Sequence, residues 1–114
     1  MTLRIDYVEF HSADLAGSKT MLTRAFGWSF TDYGRDYSSF ADAEAGINGG
    51  FAGQASGALQ PALIVLKADD LAEAEAAVVA AGGEIVTPAF AFPGGRRFHF
   101  REPGGNVLAV WSEK

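Results

Sequence analysis

Apolar and polar positions alternate from Leu3 to His11, which predicts a strand with Val8 and Phe10 on one face and Tyr7, Glu9 and His11 on the other. Asp14 then stands where a helix N-cap belongs. Leu15, Ser18, Leu22, Ala25 and Phe26 follow at helical spacing, so this stripe is expected on the Val8/Phe10 side of the sheet. Gly27 stops the helix. Trp28 to Tyr33, Tyr37 to Phe40 and Ile47 to Phe51 read as strands, with turns at Gly34 to Asp36 and Asp42 to Glu44.

The pattern then starts again. Ala62 to Ala68 is a strand with Ile64 and Leu66 on one face and Leu63, Val65 and Lys67 on the other. Asp70 caps a helix whose buried stripe is Leu71, Ala74, Val78 and Ala81, and Gly82-Gly83 ends it. Glu84 to Thr87, Arg96 to Arg101 and Asn106 to Trp111 are three more strands. An offset of 56 carries Asp14 onto Asp70 and Gly27 onto Gly83. Two copies of a βαβββ unit therefore fill one α+β domain, residues 1–114. Repeat one covers about 3–53, a small-residue linker about 54–60, and repeat two about 61–112.

Composition narrows the function classes. A net charge of −5 leaves no basic stripe for nucleic acid. The absence of cysteine removes disulfides, thiol nucleophiles and thiolate metal sites together. No apolar h-region follows Met1 and no run is long enough to span a membrane, so a soluble cytoplasmic protein is expected. Gly49-Gly50 and Gly94-Gly95 are followed by no helix and make no phosphate loop, and no serine nucleophile motif occurs, so no cofactor is expected.

The doubled βαβββ unit has A-D-L opening its first helix (Ala13 to Leu15), A-F-G-W closing it (Ala25 to Trp28) and E-P-G-G-N (Glu102 to Asn106) before the last strand. In these features the chain resembles the vicinal oxygen chelate superfamily of glyoxalase I, extradiol dioxygenases and bleomycin-resistance proteins. The resemblance implies an eight-stranded mixed sheet curved into a cup, and a homodimer. In metal-dependent members, His, Glu or Gln from the first and last strands of each repeat hold a divalent ion in the cup. The corresponding first-strand positions here are Tyr7 and Leu63, and the last-strand positions are Ala109 and one at or near Asn48. Leucine and alanine offer no donor atom, so the family metal site is expected to be absent.

Alternation places Tyr7, Glu9, His11 and Lys67 toward the cup, with Asn48 as a further contact. Glu9 is a candidate general base or a receptor for a cationic group, or else half of a structural ion pair with Lys67 or Arg97. Arg97, His99 and Arg101 share a face opposite Phe98 and Phe100, a cluster that suits an anionic ligand or a dimer contact, and His99 itself fits a donor in the cup or a polar group on the outer surface equally. Trp111 has the parity of Ala109 and is expected in the cup, with Phe90 and Phe92 in a loop at its rim. The leading expectation is a metal-free protein that binds a small amphipathic or aromatic molecule. The alternatives are a lyase or isomerase with Glu9 as base, a metalloenzyme using Glu9, His11 and His99, and an interaction module whose cup is filled by its own side chains.

Overall fold

The opening alternation becomes strand β1, Arg4–His11, in the computed structural model, which describes residues 2–53 and 62–114. The expected linker falls outside the described residues. Eight strands form a mixed sheet: β1, β2 (Thr31–Asp32), β3 (Tyr37–Phe40), β4 (Gly49–Ala52), β5 (Ala62–Lys67), β6 (Glu84–Phe92), β7 (Gly95–Arg101) and β8 (Val107–Ser112). Helix α1 is Leu15–Phe26, α2 is Asp42–Ala45 and α3 is Leu71–Ala80. Chain contacts divide the molecule into two compact units, Tyr7–Leu63 and Met1–Asp6 with Ile64–Lys114. Among the described residues, no helix is long and apolar enough to cross a membrane.

In the first unit the strand order is β2-β3-β4-β1, with β1 parallel to β4 and the other neighbours antiparallel. Asp14 caps α1 by accepting from Gly17 N at 2.9 Å, and Gly27 closes it at φ +75°. The expected apolar stripe is only partly used. Leu15, Ser18 and Leu22 are half-buried, whereas Ala25 is exposed and Phe26 is 65% exposed. Aromatic rings supply the core instead, with Phe10 stacked on Phe51 at 5.1 Å between centroids and Trp28 tilted on Phe40 at 4.9 Å. The strand expected over Trp28 to Tyr33 shrinks to Thr31–Asp32. Trp28 and Phe30 turn onto Phe40, and Ser29 N donates to Glu44 Oε1 at 2.7 Å rather than to a strand. The turn expected at Asp42 to Glu44 is the short helix α2.

In the second unit the order is β5-β8-β7-β6, with β5 parallel to β8. Asp70 accepts from Glu73 N at 3.0 Å and caps α3. Leu71 and Ala74 of the helix pack with Ala68, Phe98 and Val110 into a buried cluster, against which Leu3 also lies. Val78 joins this packing, but Ala81 is the exposed C-cap rather than part of the stripe. Phe98 is fully buried, which contributes about 1.5–3 kcal/mol. Strand β6 runs past its expected end at Thr87 to Phe92, so Phe90 and Phe92 are strand residues and not loop residues. Pro88 is tolerated because β6 is the last strand of this order and its pairing shifts register on both sides of Thr87.

Candidate functional site

Register places the second unit's candidate residues in rows across four strands. Phe90 pairs with Arg97, Arg97 with Trp111, and Trp111 with Lys67. The row therefore alternates aromatic, cation, aromatic, cation. The next row is Thr87, His99, Ala109 and Val65. Side chains two apart on a strand share a face, so both rows point away from the α3 cluster of Phe98 and Val110. The Arg97 guanidinium lies 5.3 Å from the Phe90 ring and 5.6 Å from the Phe92 ring. Phe92 stands edge-on to Trp111 at 6.1 Å, and Phe90 edge-on to His99 at 5.7 Å. Lys67 Nζ sits 5.0 Å over the Trp111 ring. The indole N–H donates to Asp6 Oδ1 at 3.2 Å, which fixes the plane of the tryptophan. Alternation alone gave no reason to single out Asp6.

Lys67 makes its ion pair with Glu113, at 2.5 Å. The Glu113 carboxylate holds the ammonium above its ordinary range, and Lys67 in turn holds Glu113 below the usual carboxylate range. Lys67 thus serves the row as a wall over Trp111, its charge answered locally.

The first unit presents a different face. Its rows are Tyr37, Ala52, His11 and then Thr31, Ser39, Gly50, Glu9. Glu9 is only 8% exposed, and its Oε1 lies 3.6 Å from His11 Nε2. The hydroxyls of Tyr7 and Tyr37 hydrogen-bond to each other. Tyr37 lies directly over Gly50, where a Cβ would collide with the phenol. Glycine is needed there to let the ring cross the strand. Sequence reasoning did not select Tyr37, although it occupies the same row position as Arg97 in the other repeat.

The sequence reading put the remaining last-strand position at or near Asn48, and register moves it to Gly50. Asn48 lies in the turn before β4, exposed, with its Oδ1 accepting from Asp42 N at 2.9 Å. Glu9 pairs with Gly50 as Val65 pairs with Ala109, and Glu9 and Val65 are related by the 56-residue offset. Gly50 is therefore the counterpart of Ala109, two residues beyond Asn48. The four positions that correspond to the metal ligands of related proteins are then Tyr7, Gly50, Leu63 and Ala109. One has no side chain, two are buried aliphatics, and the fourth is a phenol bonded to Tyr37. This donor set does not fit a divalent ion. Among the described residues, no three His, Asp or Glu side chains gather in a group suited to a metal.

Two clefts involve other residues. One of about 430 Å³ is lined by Lys19, Thr20, Thr23, Arg24, Trp28, Ser29 and Phe30, and several of its polar groups are already engaged. Lys19 pairs with Asp32 at 2.6 Å, Thr23 donates to Trp28 O, and Ser29 bonds Glu44. The other, about 310 Å³, is an apolar trough along α3 that includes Leu3, Ala74 and Val78. Neither is lined by a site residue expected from the sequence.

Comparison with known proteins agrees with this architecture. No curated protein matches the chain at a significant level. Among solved structures, the NAD-dependent benzaldehyde dehydrogenase from Legionella pneumophila superposes with a TM-score of 0.76 at 14% identity, covering 95% of this chain and 98% of that one. Methylmalonyl-CoA epimerase from Mycobacterium tuberculosis gives 0.72 at 13% identity, over 95% and 86%. The Mn(II)-bound glyoxalase from Novosphingobium aromaticivorans gives 0.67 at 24% identity, over 96% of this chain but 38% of that one. These likenesses show a shared fold. The sequence itself matches the family described as the Glyoxalase/Bleomycin resistance protein/Dioxygenase superfamily over residues 4–110. Fold, repeat and family match together make the chain a member of that superfamily.

Proposed function

We propose that the protein binds a small planar, amphipathic molecule on the sheet face of its second repeat, without a metal ion. The observation that carries this is the row Phe90, Arg97, Trp111, Lys67, with Phe92 leaning on Arg97 and Trp111. The Phe92 ring held edge-on to a fixed indole, with the Lys67 stem over that indole, offers a planar molecule an apolar surface to stack on. The missing donors at Gly50, Leu63 and Ala109 support binding by hydrogen bonds and apolar contact. Differential scanning fluorimetry with a panel of planar metabolites tests it. At least one compound raises the melting temperature of the native protein and fails to raise that of Trp111→Ala. Equal shifts in both proteins, or none in either, refute the reading.

A second reading is favoured by the Glu9–His11 pair on the first repeat's face, 3.6 Å apart, with Glu9 buried and His11 half-buried. A glyoxalase-related isomerase or lyase would use Glu9 as the base that takes a proton from carbon beside a carbonyl. His11 beside it would steady the carboxylate, and the proton would return to a neighbouring atom of the substrate. The superposition with an epimerase is compatible with this. Glu9→Gln then abolishes turnover while leaving the denaturation midpoint within a few degrees. Retained turnover removes the reading.

A further inference from the structure

We infer that the cleft beside helix α1 is a second binding site, and that it takes a small aromatic molecule carrying a carboxylate or phosphate group. Its wall comes from α1 and the segment that folds back after it, all within the first unit, and it shares no residue with the row on the second repeat. The volume of about 430 Å³ falls in the range of small-ligand pockets, roughly 300–1,000 Å³. Two cations, Lys19 and Arg24, line it together with the rings of Trp28 and Phe30, and the rest of the wall is hydroxyl side chains. No acid is among the lining residues, in a chain where 14 acids outnumber 9 bases. Asp32 answers Lys19 from outside the wall at 2.6 Å, so the charge left over is that of Arg24. Arg24 and Thr20 stand one helical turn apart, both exposed, and neither makes a hydrogen bond or ion pair with any described residue. A guanidinium presents a planar fork that matches the edge of a carboxylate or phosphate, and the hydroxyl one turn away adds a further donor. The aromatic side is fixed in advance. Thr23 donates to Trp28 O at 2.9 Å, Ser29 N and Oγ both donate to the Glu44 carboxylate, and the Trp28 ring leans on Phe40. Such anchoring lowers the ordering cost of seating a ring beside the indole. Arg24 also lies in the last turn of α1, where a cation answers the helix dipole without any ligand.

Nuclear magnetic resonance on the isotope-labelled, full-length protein tests this, because the chain has two tryptophans and each indole N–H gives its own signal. The Trp28→Phe variant assigns them. The probes are 2-naphthyl phosphate, 2-naphthoate and the neutral 2-naphthamide. At least one of the two anions is expected to move the Trp28 signal saturably, with an affinity about tenfold or more above that of the amide, because a site built for a charged acceptor rejects an analogue lacking it. The tighter of the two anions shows which acidic group the site takes. Its affinity falls as salt is raised. Arg24→Gln lowers that affinity about tenfold and narrows the gap between anion and amide, and Arg24→Lys recovers part of the loss. A role confined to the helix dipole would lower the melting temperature of Arg24→Gln and leave the gap as it was, which overturns the inference. Equal affinities for anion and amide, an anion that moves only the Trp111 signal, or a Trp28 signal that no probe moves also overturns it. If Arg24→Gln fails to fold by circular dichroism, the probe comparison and salt series on the native protein decide alone. Movement of the Trp111 signal bears on the second repeat alone, so the two sites can fail separately.

Discussion

Where the second repeat buries Phe98 against Val110, the first buries Ser38 against Phe51, and both Phe98 and Ser38 are wholly inaccessible to solvent. The bulk has moved one strand over. In the second repeat an aromatic on β7 meets an aliphatic on β8, and α3 closes the cluster with Leu71 and Ala74. In the first, the aromatics sit on β1, β3 and β4 and in the segment after α1, and α1 buries no residue fully. Ser38 keeps its hydroxyl satisfied through Asp32 at 2.7 Å. The opposite faces diverge in the same manner. Tyr37, Ala52 and His11 occupy the row positions of Arg97, Trp111 and Lys67. Duplication thus preserved hydrogen-bond register, which fixes backbone geometry. It left side-chain volume and charge free to differ, and the difference separates a titratable face from an aromatic, cationic one.

Matched substitutions break or sharpen this contrast. The largest effect is expected from Phe98→Ala, a loss of about 3–5 kcal/mol in urea denaturation, because a full ring leaves a closed site. Its counterpart Ser38→Ala should cost only about 0.5–1.5 kcal/mol, the value of one hydrogen bond. Comparable losses at the two positions would mean that the cores are not organised so differently. Next in size is Gly50→Ala, which gives repeat one the methyl group that repeat two already carries at Ala109. Tyr37 must move off the strand, at about 1–3 kcal/mol. In a Tyr37→Ala background the same change should be nearly neutral, since the clash is with that ring.

The smallest effect separates the two last hairpins by pH. Between β7 and β8, the Glu102 carboxylate accepts from Asn106 N at 2.7 Å and from Gly104 N at 2.5 Å. These bonds, with the Asn106 side-chain amide, hold its pKa below the ordinary 4.5. Between β3 and β4 the corresponding clamp is the neutral amide of Asn48. A carboxylate with a depressed folded pKa stabilises the protein above its unfolded pKa, and this is lost as pH falls through the folded value. Melting temperature should therefore decline as pH drops below about 4.5 in the native protein, with a shallower slope in Glu102→Gln. Asn48→Asp should introduce a new acid-sensitive step in the first hairpin. An unchanged slope in Glu102→Gln would remove Glu102 from the account.

The sequence was most legible where one backbone interaction decides the outcome. Asp14 and Asp70 read as caps because a short carboxylate before an apolar stripe has one obvious donor to meet. Alternation sorted Tyr7, Glu9 and His11 from Val8 and Phe10, and Arg97 and His99 from Phe98, because the strand period is two. The last-strand position of repeat one was read as at or near Asn48 and falls at Gly50, two residues on, because the repeat offset is not constant and so does not transfer Ala109 onto the first repeat. That offset is 56 between β1 and β5 but 59 between Gly50 and Ala109, since the intervening hairpins differ in length. Phe90 and Phe92 were read as loop because Pro88 interrupts the strand pattern, which an edge strand with shifted register tolerates.

By itself the amino-acid order determined the duplicated βαβββ plan, the capped helices and the absence of donor atoms at Leu63 and Ala109, because periodicity, caps and side-chain chemistry are local properties. Tertiary structure alone decided that Phe90, Arg97, Trp111 and Lys67 line up, that Tyr37 crosses Gly50 to reach Tyr7, and that Lys67 answers Glu113. Those neighbours lie far apart along the chain, and only inter-strand register brings them into one row.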